Sequence, residues 1–104
     1  MLLSTTDKIE GKVIKEYRGV VFGEVINGIH FLHDFTAGIT SVIGGRASEY
    51  EKELVDTRAD AIREMMSRAE KIGANAIIGV KVDYETIADS MLMVVASGTA
   101  VVIE

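Results

Sequence analysis

The run Met91-Leu92-Met93-Val94-Val95-Ala96-Ser97-Gly98-Thr99-Ala100-Val101-Val102-Ile103 decides the fold. It holds no charged residue, and Ser97 and Thr99 are its only polar side chains. Branched aliphatic and small residues over this length read as a strand that can present neither face to water. Such a strand must be covered on both sides, and a chain of 104 residues has little material with which to do it. The expectation is a self-assembling α+β domain in which sister copies help to shield the strand. A charge at Val94 (Val94→Asp) is expected to break folding and association together.

Working outward, Ala74 to Tyr84 reads as the preceding strand. Ile78, Val80, Val82 and Tyr84 fall on one face and Lys81, Asp83 and Glu85 on the other, with a turn near Ala88-Asp89. A long amphipathic helix comes before it. Ser48-Glu49-Tyr50-Glu51 has the form of a capping box, with Ser at the N-cap and Glu three residues on. Tyr50, Leu54, Ala61, Ile62, Met65, Met66, Ala69 and Ile72 make the apolar stripe. Asp56, Asp60, Arg63, Glu64 and Glu70 lie opposite, Glu64 and Arg68 form a favourable i,i+4 pair, and Gly73 is the expected C′ residue.

Val13 to Ile26 is a second long strand whose apolar side switches near Arg18-Gly19, which predicts a bulge or bend there. Phe31, Leu32, Phe35, Ile39, Val42 and Ile43 recur at helical spacing and predict a further helix ended by Gly44-Gly45. Leu2 to Thr6 is a short strand. The expected order is β-β-α-α-β-β, an antiparallel sheet of long strands with two helices packed on one face, in a single domain spanning 1–104.

Composition narrows function. Hydrophobic residues make up 48% of the chain and the mean hydropathy is +0.25. Either the core is unusually complete or apolar surface is buried against other copies. Sixteen acidic residues against eleven basic ones give a net charge of −5, which opposes binding to nucleic acid. The absence of Cys removes disulfides, thiolate metal sites and Cys nucleophiles. No signal-peptide pattern or membrane-length apolar run is present, so the expected location is cytoplasmic and no membrane partner is expected.

Few side chains carry chemistry. His30, His33 and Asp34 stand at i, i+3 and i+4 and would share one side of a helix, offering two imidazoles and a carboxylate to a divalent transition metal ion such as zinc, nickel or copper. The alternative is a solvated polar face. Asp83, Glu85 and Asp89 gather around the hairpin turn, where carboxylates are ordinarily solvated. Arg58 interrupts the helix's apolar stripe, where Arg snorkels or pairs across an interface. Met65, Met66, Met91 and Met93 read as packing, although thioethers bind soft copper. No nucleophile elbow, phosphate-cradling glycine loop or catalytic pairing of the histidines is present. The chain is not expected to be an enzyme.

Tyr17-Arg18-Gly19-Val20-Val21, Gly44-Gly45-Arg46 followed by Tyr50-Glu51, Gly73-Ala74-Asn75-Ala76-Ile77-Ile78-Gly79-Val80 and Gly98-Thr99-Ala100-Val101 together resemble the YbjQ-like family, small proteins that carry a heavy-metal-binding label. The resemblance covers nearly the whole chain. It implies an α+β fold and a homopentameric ring, and it does not place metal ligands at His30, His33 or Asp34. Three readings follow: a metal-binding homo-oligomer, an assembly module that docks a protein partner, or an oligomer with a small-ligand pocket lined by Tyr17, Tyr50 or Tyr84.

Overall fold

The computed structural model describes residues 1–27, 45–88 and 91–104. It has a four-stranded sheet and one long helix. The strands are β1 (Leu2–Leu3), β2 (Ile14–Asn27), β3 (Ala76–Ala88) and β4 (Met91–Ile103), and the helix is α1 (Gly45–Lys71). The strand order is β1-β3-β4-β2. The uncharged run is therefore an interior strand with long partners on both sides, antiparallel to each. The body is an elongated slab of 53 × 24 × 16 Å, because strands of thirteen or fourteen residues extend about 45 Å at ~3.3 Å per residue.

The sheet is mixed, not antiparallel throughout. β1 runs parallel to β3, with Leu2 opposite Ala76 and Leu3 opposite Ile77. Backbone bonds from Leu2 N to Asn75 O (3.3 Å) and Ser4 N to Ile77 O (2.9 Å) seat it there. A short parallel strand covers an edge that would otherwise expose free ladder groups. The two-helix layer is not confirmed: the predicted helix Phe31–Ile43 falls on residues 28–44, outside the described residues. The reversal expected near Ala88-Asp89 is present, since β3 ends at Ala88, which pairs with Met91, although Asp89 itself lies outside the described residues.

Helix α1 begins at Gly45, so Ser48 lies inside it and not at its N-cap. A cap is worth about 1 kcal/mol, and it marks a start only where the preceding chain leaves the helix. The C-terminus follows the sequence. Ala74 N donates to Ala69 O (3.1 Å) and Gly73 N to Glu70 O (3.0 Å), the two bonds of a Schellman motif, with Gly73 at φ +84 in the C′ position.

Alternation assigns the faces. On β4, Leu92, Val94, Ala96, Gly98 and Ala100 lie on the side that α1 covers. Val21, Ala61, Met65, Ala69, Ala74, Ile77, Val94, Ala96 and Ala100 form the principal core there. Glycine makes this contact possible. A Cβ on Gly23 would sit 1.8 Å from the Ala61 carbonyl oxygen and 2.7 Å from the Met65 nitrogen, so the helix backbone rests directly on β2. On the opposite face a smaller cluster of Ala76, Ile78 and Val101 is closed by Ile9, Ile14 and Ile103 of the same chain.

β4 stays regular while its neighbours bulge. Register slips between Ile14/Glu16 and Tyr17/Gly19 on β2, and between Ile78/Lys81 and Thr86/Ala88 on β3, each add a residue to the outer strand. The slip beside Gly19 is the face switch the sequence predicts. On β3, Gly79 has φ +60, a left-handed conformation that suits glycine. This corrects the sequence assignment of Ile78. It lies on the uncovered face, opposite Thr99, while Val82 and Tyr84 lie on the helix side, opposite Ala96 and Val94.

Two variants test this packing by urea denaturation. Gly23→Ala is expected to lose about 2–3 kcal/mol, because its methyl group must push the helix backbone away, whereas Ser67→Ala on the exposed helix face should stay within about 0.5 kcal/mol. Val94 is fully buried under α1, so Val94→Asp should abolish the cooperative transition of the chain itself.

Candidate functional surfaces

Among the described residues a single helix faces three long strands, and it cannot cover them all. With its side chains it is about 10 Å across, close to the width of two strands at ~4.8 Å spacing. Here α1 lies over β2 and β4. The guanidinium of Arg68 fixes that placement by reaching past the sheet edge. Its Nη1 donates to Phe22 O (2.8 Å) and to Glu24 Oε1 (3.2 Å), while Glu64, one turn earlier, receives its Nη2. At the other end of the contact, Thr57 is a buried hydroxyl that donates to Glu53 O (2.8 Å) and accepts from the Asn27 amide. Asn75 holds the far end of β4 by exchanging two bonds with the Ile103 backbone, at 2.9 and 2.7 Å.

Two apolar surfaces result. The first is on the helix side, where β3 extends beyond the cover of α1. Val80 and Val82 are half-buried, Tyr84 is 42% exposed, and the flank of α1 facing them carries Val55, Ile62 and Met66. Ile62 and Met66 pack against the same core as Val80 and Val82, and this group is called the shelf. Arg58 stands on that flank, exposed. Among the described residues it has no ion-pair partner.

The second surface is on the opposite face and at the opposite edge. β2 presents Tyr17, Val20, Phe22 and Ile26 there, at 67%, 66%, 46% and 52% exposure. Across β4 from this stripe, β3 is polar: Lys81 faces Ser97, Asp83 faces Val95 and Glu85 faces Met93. Lys81 and Asp83 are 3.7 Å apart. The sheet's open face is thus apolar at its β2 edge and charged at its β3 edge.

Most of the sequence-derived ligands fall outside the residues the structure describes. His30, His33 and Asp34 lie outside the described residues, as does Asp89. Asp83 and Glu85 are exposed neighbours on one strand, and among the described residues no three His, Cys, Asp or Glu side chains gather to hold a metal ion. Tyr17 and Tyr84 lie on opposite faces of the sheet, so within one chain they do not line a common pocket. Tyr50 belongs to the first turns of α1, and its side chain is outside the described residues. What sequence reasoning missed is the pair of apolar stripes on opposite faces. The exposed one follows from the even positions of β2 after Gly19, a signal visible only once the bulge is placed.

Comparison with known proteins places the chain. A 58% identical protein from Acetivibrio thermocellus matches over the full length of both chains, and a 57% identical one from Listeria welshimeri covers all of this chain and 96% of its own. Both are named UPF0145 protein. Among solved structures, a Pediococcus pentosaceus protein of unknown function in the DUF74 family aligns with a TM-score of 0.51 at 17% identity, covering 100% of this chain and 98% of its own. At that identity the likeness concerns the fold alone. No helix among the described residues is long and apolar enough to cross a membrane. With a family model matching residues 1–104 under the description "Putative heavy-metal-binding", the chain belongs to the YbjQ-like family, to which its UPF0145 relatives also belong.

Proposed function

We propose that this protein is a homo-oligomeric domain that assembles head to tail, the shelf of one copy receiving the β2 stripe of the next. The observation that carries the reading is the placement of two unlike apolar surfaces on opposite faces and opposite edges of one sheet. Burying both by pairing like with like would need two separate two-fold contacts. A single heterologous contact buries both at once, and repeated it closes into a ring when the rotation per copy divides a full turn. A homopentamer is the ring size that the family resemblance implies. Arg58, which has no ion-pair partner among the described residues, suits such a contact, since the β2 stripe carries the carboxylate of Glu24 between Phe22 and Ile26.

Mixing experiments separate the two geometries. Val20→Asp with Phe22→Asp disables the stripe, and Tyr84→Lys disables the shelf. Each variant alone is expected to sediment as a monomer, and an equimolar mixture should form a 1:1 dimer through the one intact pair of surfaces. A mixture that stays monomeric removes the head-to-tail reading. Wild-type protein that sediments as a monomer at micromolar concentration removes assembly altogether.

The family description favours a second property of the same assembly, heavy-metal binding. We assign it to His30, His33 and Asp34 of each copy, in a cytoplasmic protein. Neutral imidazoles are required, so uptake of zinc, nickel or copper should fall as pH drops below about 6.5, where free histidine gains its proton. His30→Ala with His33→Ala is expected to lower stoichiometric metal retention at least tenfold in calorimetry at pH 7.5. Unchanged retention would reduce the cluster to surface.

A further inference from the structure

We propose that Met91 and Met93 form a two-thioether site for a soft monovalent cation of the Cu(I) class. The strand register carries the argument. β4 has no bulge, so residues two apart share a face, and Met91 and Met93 both point to the side away from α1. Their Cα atoms are about 6.7 Å apart at ~3.3 Å per residue. Methionine is unbranched, with three rotatable bonds, so two sulfurs at this spacing can converge on one ion held between them. Thioethers are soft neutral donors suited to soft monovalent cations such as Cu(I), whereas magnesium prefers oxygen, and in a chain without Cys they are the softest donors present.

Among the described residues, these two sulfurs are not used by the core. Met65 is fully buried, and Met66 and Leu92 pack against the principal cluster. Met91 and Met93 are half-buried and are absent from the side chains packed against either cluster. Met93 sits in one cross-strand row between Ile26 on β2 and Glu85 on β3. Ile26 gives the site an apolar wall. Glu85 is exposed and, among the described residues, has no ion-pair partner. Its carboxylate stands where it offsets the charge of a bound cation. The site goes beyond the histidine cluster in ligand type and ion class, and it does not depend on that cluster.

Silver ion is the probe, because it shares the d10 configuration and the preference for sulfur and does not change oxidation state. The full-length protein is titrated with silver nitrate in chloride-free buffer and followed by native mass spectrometry, which also reports copy number. One silver per chain is expected in the wild type. Met91→Leu with Met93→Leu preserves volume and apolar character, so it should keep the copy number and lose silver affinity at least tenfold. Each single Leu variant should also weaken silver binding, which keeps the test decisive if the double variant assembles poorly. Met66→Leu should bind as the wild type does. Silver retained by the double and single variants overturns the proposal, as does a wild type that takes up none. Loss of silver from His30→Ala with His33→Ala, with the methionines intact, also overturns it. Zinc lost from that histidine variant while silver stays would support this site and the histidine reading separately.

Discussion

Among the described residues, the width of one helix set against three long strands governs the packing. α1 descends until its backbone touches β2 at Gly23, and a helix seated that low cannot also reach across β3. The small residue Ala61 and the glycine beneath it fix the height. Arg68, hooked onto the Phe22 carbonyl and Glu24, fixes the lateral position at the β2 edge. The uncovered part of β3 and the exposed row on β2 are consequences of that seating, not separate features. They fall on opposite faces because the helix covers one side of the sheet while the bulge at Gly19 turns the even positions of β2 to the other.

The bulges decide which apolar residues remain unsatisfied. β4 runs straight, and all four register slips occur on the strands beside it. Each slip inverts the alternation of the outer strand relative to β4. The result at one end of the sheet is Ile78 beside Ile14 and Val101 in a cluster the chain closes by itself. Toward the other end, Val20, Phe22 and Ile26 face outward with no residue of the described chain over them. The argument that the uncharged strand needs help from sister copies therefore moves by one strand. β4 is largely sheltered by its own neighbours, and the exposed apolar surface belongs chiefly to β2.

Much of this was legible in the residues. The uncharged run from Met91, the amphipathic helix closed by Gly73, the Glu64–Arg68 pair and the break near Arg18-Gly19 each have local causes, and the structure contains each of them. The parallel pairing of β1 was not legible. Two residues carry no signal for partner or direction, and only hydrogen bonds to Asn75 and Ile77 reveal it. The face of Ile78 was misread because strict alternation was carried through Gly79, whose positive φ breaks it. The start of α1 was misread because a capping box resembles a helix start even inside a longer helix. The candidate metal ligands were chosen by spacing alone, and His30, His33 and Asp34 lie outside the part of the chain whose packing could have tested that choice.

Charge placement carries the assembly argument one step further. A purely apolar pair of surfaces would associate in many registers, since burial of hydrocarbon is non-directional. Here each surface carries one charged group: Arg58 on the shelf, Glu24 within the β2 stripe. Glu24 is already held by Arg68, so its carboxylate is oriented before any neighbour arrives, which lowers the entropy lost on docking. A copy that slides by two residues along β2 would set Arg58 against Phe22 or Ile26 and leave a guanidinium desolvated without a partner, at a cost that removing one member of a buried ion pair puts at about 3–5 kcal/mol. In the proposed assembly, hydrophobic area would supply the drive to associate, and a pair between Arg58 and Glu24 of the next copy would select the register. Register would matter more in such an assembly than in a two-fold dimer, because a head-to-tail contact repeats its rotational error at every copy, and a ring closes only if that error stays small.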